Sequence, residues 1–173
     1  MSRNKRLRGT TAPKVEPLSS DATHEVVFFK RHRDDDVAQS SPGLDVLLGF
    51  PTNVRARLLA TLAAVAKAPP KRFAGGGQWE AMHGEMTGYF EARVTSKTPN
   101  GKWHYRLFCL LDYDAVGKAS PLLIVIDGAA KPYRTTLPDS RYAEVRELGD
   151  EYLEHNPRSL ATEDDVRAAM GAS

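Results

Sequence analysis

Between Val54 and Val65 the apolar side chains recur at three- and four-residue steps, and from Tyr89 onward the period drops to two. That switch restricts the fold more than any other feature. Val54, Leu58, Leu59, Leu62 and Val65 form one stripe with Arg55, Arg57 and Thr61 off it, until Pro69-Pro70 ends the helix. Tyr89 to Val94 then alternates, with Tyr89, Glu91 and Arg93 on one face and Phe90, Ala92 and Val94 on the other. His104 to Asp112 is longer and more apolar, and Leu122 to Ile126 is the continuous run of a buried strand. A helical stripe and a set of strands must each bury an apolar surface, so the chain should form helices laid on a sheet. Ala60, Ala63, Ala64 and Ala66 would let the neighbouring layer approach closely.

The flanking segments fit the same plan. Val26, Val27, Phe28 and Phe29 predict a first strand within Glu25 to Lys30. Ser41-Pro42 starts a short helix with Leu44, Leu47 and Leu48 at helical spacing. Pro99-Asn100-Gly101 reads as a tight hairpin loop. Pro138-Asp139-Ser140 introduces a helix with Tyr142, Val145, Leu148, Tyr152 and Leu153 as its apolar stripe, stopped by Asn156-Pro157. Thr162 and Asp165 resemble a capping box for a short last helix. The expected fold is α+β: a small antiparallel sheet packed against N-terminal helices, with a C-terminal helix. Three regions follow: a disordered basic tail over 1–23, a domain over 24–155, and an extension with a short helix over 156–173.

Charge is uneven along the chain although the net is only +2. Residues 1–23 carry five basic and two acidic side chains, residues 24–138 fifteen and eleven, and residues 139–173 four and nine. Positive charge therefore precedes a negative end, a surface that could meet a phosphate backbone. No apolar run approaches a membrane span, and no apolar stretch follows the basic start as in a secretory signal. A cytoplasmic protein is the expectation. One cysteine, Cys109, sits in an apolar run and reads as core. Trp79 and Trp103 read as core or rim packing.

Several eye-catching groups carry little chemistry. Asp34-Asp35-Asp36 lacks the spacing of a calcium loop and reads as a solvated turn, so no metal is expected. Gly75-Gly76-Gly77 lacks the lysine and hydroxyl of a phosphate loop and reads as a flexible connection, and no cofactor is expected. His83 and His104 each stand without a nearby carboxylate or a metal-ligand spacing. The stronger signal is a series of basic and aromatic residues at strand positions: Arg93, Tyr105-Arg106, and Lys131, Tyr133 and Arg134. Converging on one exposed sheet face, they would suit RNA, the cations on phosphates and the tyrosines stacked on bases. The alternative is that a strand arginine simply pairs with a carboxylate such as Glu91.

Gly88-Tyr89-Phe90-Glu91-Ala92-Arg93 resembles the G-x-x-E-x-R strand of the RelE/ParE superfamily of bacterial toxins, particularly its HigB-like branch. Tyr105-Arg106-Leu107-Phe108 is similar to the family's Tyr-Arg-Val-Phe strand, and Leu123 to Gly128 to its apolar strand ending in glycine. Lys131 with Thr135, Thr136, Leu137 and Pro138 resembles the Lys-Lys…Thr-Pro stretch before the last helix, and residues 52–67 match its leucine-rich helix. The resemblance covers roughly residues 24–155. It implies a RelE-like fold and the toxin of a type II toxin–antitoxin system, a ribosome-dependent endoribonuclease (mRNA interferase) that cuts mRNA without a metal. Arg93 and Arg106 would hold the scissile phosphate, and Lys131 with Tyr133 or Arg134 would assist proton transfer. Tyr105, Lys131 and Arg134 would bind RNA. The family's second lysine is Pro132 here and the preceding aromatic is Ala130, so Arg134 would supply the missing charge. The implied partners are a helix-turn-helix antitoxin, the ribosome and mRNA. The superfamily also includes ParE-like gyrase poisons that cleave nothing, and an inactive member kept as a protein-interaction module is the third reading.

Overall fold

The computed structural model describes residues 18–68, 70 and 77–171. Most of the expected basic tail, and Gly75 and Gly76 of the triple glycine, lie outside the described residues. The element order is β1 (Glu25–Phe28), α1 (Pro42–Gly49), α2 (Thr52–Lys67), β2 (Trp79–Ala81), β3 (Phe90–Thr98), β4 (Gly101–Asp112), β5 (Leu122–Pro132), α3 (Asp139–Glu154) and α4 (Glu163–Gly171). A single 3₁₀ turn at Gly84–Met86 joins β2 to β3. The strands form one sheet in the order β1-β5-β4-β3-β2. β2 to β5 are antiparallel, and β1 joins the edge parallel to β5. The α+β layout is the one the change of period demands. Among the described residues, no helix is long and apolar enough to cross a membrane.

The two sheet faces have different covers. On one, α1 and α2 set Leu44, Leu47, Val54, Leu58, Leu62 and Val65 against Ala92, Val94, Tyr105, Leu107, Cys109, Leu123 and Val125. α1 lies close on β5 because Gly43 and Gly128 carry no side chain. A Cβ on Gly43 would come within 2.7 Å of Val125, and one on Gly128 within 3.0 Å of Val46. On the other face, α3 covers only part of the sheet. Val145 packs with Phe108, and Tyr152 with Val27, Phe29, Ile124 and Ile126.

Two details depart from the sequence reading, and the expected Asp34–Asp36 turn is held in place. β2 falls within the stretch read as a turn-rich connection; its Trp79 is buried and stacks on Phe90 at 5.2 Å. β5 runs past Ile126 to Pro132, although Asp127-Gly128 has the composition of a turn. The register shifts between Phe108 and Cys109, so Ile126 is the extra residue of a β-bulge. The bulge turns Asp127 toward α3, where Arg141 donates to its carboxylate at 2.6 Å. The Asp34–Asp36 loop is also tied down. Asp36 accepts from Ser40 at 2.8 and 2.9 Å. Asp35 meets His155 at 3.1 Å, and Arg31 pairs with Glu151 of α3 at 2.6 Å.

Beyond α3, Asp112 is the anchor. It accepts from the Tyr152 hydroxyl at 2.6 Å, from Arg158 Nε at 2.8 Å and from the Asp114 amide at 2.9 Å. Thr162 and Asp165 exchange bonds of 2.9 and 3.0 Å, the capping box that opens α4.

Candidate functional site

The part of the sheet that α3 leaves open is built from cross-strand rungs. Side chains alternate along a strand, so residues two apart share a face and paired residues stand side by side. Glu91 pairs with Phe108, and Phe108 with Asp127; α3 covers that rung. Arg93, Arg106 and Ala129 make the next, and Thr95, His104 and Lys131 the one after. Four of the groups that chemistry on a phosphate needs therefore stand on neighbouring rungs: Arg93, Arg106, His104 and Lys131.

Two arginines directly opposite each other repel. Glu91 relieves this, its buried carboxylate lying 3.5 Å from Arg93 Nε and 3.4 Å from Arg106 Nη1. Arg93 is further held by Glu80 at 2.9 Å and by the Gly77 carbonyl at 3.0 Å. Arg106 donates to the Tyr142 hydroxyl of α3 at 3.3 Å, which fixes the helix at the border of the open face. The pairing of a strand arginine with Glu91 is thus present together with the cluster, not instead of it. Glu91 Oε2 and Arg106 Nε are buried without a hydrogen bond. Groups left so are the exception in a folded chain.

His104 is the residue the sequence reading undervalued. Its Nδ1 lies 2.7 Å from the Thr95 hydroxyl, and its ring is 4.9 Å from that of Tyr133. Burial, and then the charges of Arg106, Lys131, Arg93 and Lys102, lower its pKa below the usual value. The imidazole is therefore neutral near pH 7, the form that accepts a proton. The Lys131 pKa is also lowered, by burial and by Arg106 and Arg93, against an opposing pull from Glu91. Its ammonium bonds the Thr135 carbonyl. Thr95 and Lys131 are nine and twenty-seven residues from His104 in sequence, so no local motif marks the histidine. Only its strand parity with Arg106 could have done so.

Of the other expected site residues, Tyr133 and Arg134 follow β5 at the rim. Tyr133 is 39 % exposed, with Lys102 Nζ 4.5 Å and the Arg134 guanidinium 5.4 Å from its ring. Arg134 takes a left-handed backbone with φ +63°. Tyr105 is the correction. Adjacent strand residues point to opposite faces, so with Arg106 on the open side Tyr105 turns to the helices, buried against Phe50 at 5.0 Å. It cannot stack on a base there. His83 is exposed beside the 3₁₀ turn, in a concavity it shares with Tyr142 and Arg146 and not with Arg93, His104 and Tyr133.

Among the described residues, one group has metal-ligand spacing: Asp35, Glu154 and His155, whose ligand atoms lie within 4.8 Å of one another. It fastens the loop after β1 to the end of α3 and is separate from the sheet rungs. No protein-family model matches the chain, and no curated protein or solved structure matches it either.

Proposed function

We propose that the chain is an endoribonuclease toxin of the RelE/ParE kind, cutting mRNA on the ribosome by metal-independent transesterification. The observation that carries this reading is the convergence of Arg93, Arg106, Lys131 and a neutral His104 on the part of the sheet that α3 leaves open. In the reaction the 2′-hydroxyl attacks the adjacent phosphorus, its proton leaves, and the 5′-oxygen departs with a proton, giving a 2′,3′-cyclic phosphate. His104 takes the first proton, with Thr95 orienting the ring. Lys131, with its lowered pKa, gives the second. Arg93 and Arg106 face the charge that builds on the phosphorane, where fixed cations act most strongly. Glu80 is half exposed, so its bond to Arg93 is weak enough for a phosphate to displace. Tyr133 offers a stacking face at the rim, and Arg134 adds charge beside it. A helix-turn-helix antitoxin that covers this face is the partner the reading implies.

Incubating the purified chain with translating ribosomes tests this. Cleavage of the mRNA to 2′,3′-cyclic-phosphate ends is the expected result. Cleavage that leaves 3′-hydroxyl and 5′-phosphate ends, the products of metal-assisted hydrolysis, would overturn the mechanism, and growth arrest on expression without any cleavage would favour a gyrase-binding toxin instead.

A further inference from the structure

We infer that the open face continues over the free edge of β3 as a second phosphate subsite, with Arg57 and Lys102 as its cations. The inference rests on reading the face as an RNA site and extends it to the nucleotide beside the scissile one. β2 pairs only with Phe90 to Ala92, and the last bond to that side runs from the Arg93 amide to the Gln78 carbonyl at 2.9 Å. Past that point the edge of β3 has no strand partner among the described residues. The Thr95 carbonyl at this edge is taken by Arg57, reaching from α2, at 3.3 Å.

Arg57, Arg93, Thr95, Lys102, His104 and Tyr133 line one concavity of about 430 Å³, with no carboxylate among the described residues of its wall. That volume is in the range of small-ligand sites. Arg93 and Thr95 are two residues apart, about 7 Å at ~3.4 Å per residue. The cations thus flank two successive positions along a strand, not one shared phosphate. Arg57 and Lys102 form no ion pair among the described residues, unlike Arg93 with Glu80. Arg57 spends its bond on a neutral carbonyl, and Lys102 rests over the Tyr133 ring. A phosphate oxygen makes a stronger, charge-assisted partner than either. Cations on the backbone beside an exposed aromatic face are what a single-stranded polynucleotide requires.

The test uses 2′-deoxy strands, which lack the attacking hydroxyl, of about 3 and about 8 nucleotides, with binding read by fluorescence anisotropy over a salt series. Arg57→Ala combined with Lys102→Ala should weaken the longer strand about tenfold and leave the short one nearly unchanged. Each lost phosphate contact lowers the logarithmic salt slope by about 0.7 for a single strand, so the slope should fall by about 1.4. Both side chains are exposed, so the double variant should keep the wild-type circular dichroism spectrum. An unchanged affinity and slope for the longer strand would overturn the subsite while leaving the central site standing. Equal weakening of both strands would place the two cations in the central site and also overturn it. A wild-type chain that binds neither strand would sink the RNA reading of the face, and this subsite with it.

Discussion

Asp112→Ala removes the carboxylate that ties the end of β4 to α3 and to the chain beyond it. Three donors lose their acceptor: the Tyr152 hydroxyl, Arg158 Nε and the Asp114 amide. The Arg158 side chain is only 8 % exposed, so it is left buried without a counter-charge. Breaking a buried pair from one side costs about 3–5 kcal/mol. Arg158 Nη1 still donates to the Leu153 and His155 carbonyls, at 2.9 and 3.2 Å, which favours the lower end. For a domain of this size about 3 kcal/mol lowers Tm by roughly 6–12 °C, and calorimetry would read it. Replacing the whole cluster by Asp112→Leu, Tyr152→Phe and Arg158→Met should recover most of the loss, since apolar packing can substitute for a buried pair. Acid reports on the same clamp. Burial pushes the Asp112 pKa up, but the hydrogen bonds from Tyr152, Arg158 and Asp114 outweigh it and hold the group below its ordinary value. The contribution is therefore full above the unfolded pKa of about 3.9 and is lost as pH falls through the lower folded value. A Tm within about 2 °C of wild type for Asp112→Ala, less than about 1 kcal/mol for such a domain, would refute the reasoning.

Gly149→Ala would drive a Cβ into the Tyr89 hydroxyl, so α3 or the tyrosine must shift; chemical denaturation should show a loss of about 1–3 kcal/mol, largely relieved by Tyr89→Leu. Cys109 is fully buried and its thiol pKa is raised by burial, so a thiol reagent should label it only on unfolding, and rapid labelling of the native chain would contradict the packing. Tyr133→Ala should weaken RNA binding by about 1–3 kcal/mol, the usual worth of one stacked base. Tyr105→Leu, on the helix side, should leave RNA affinity unchanged and lower stability alone, and anisotropy together with a melting curve separates the two effects.

The layers were legible in the residues because a switch of hydrophobic period is a physical demand for two kinds of surface. The alternation from Tyr89 to Val94 even placed Glu91 and Arg93 on one face, as they stand. What escaped the reading was set by pairing across the sheet. β2 is three residues long among glycines, too short for a period to show. Asp127-Gly128 has turn composition, yet a bulge carries the strand through it and sets Lys131 beside His104. Tyr105 and Arg106 adjoin in sequence, the very relation that separates them on a strand. Of the residues expected at the site, Arg93, Arg106 and Lys131 stand on neighbouring rungs, with Tyr133 and Arg134 at their rim.

The most direct measurement is the pH dependence of single-turnover RNA cleavage by the wild type and by His104→Ala. Because the His104 pKa lies below 6.5, the wild-type rate should rise with pH through that lowered value and then level off. It should fall again at alkaline pH as Lys131 loses its proton below the usual 10.5. His104→Ala should be slower by about 10²–10⁴, the typical worth of a positioned general base, and its acid limb should be gone. A variant that cleaves at the wild-type rate with the acid limb intact would contradict the account of the open sheet face as a catalytic site.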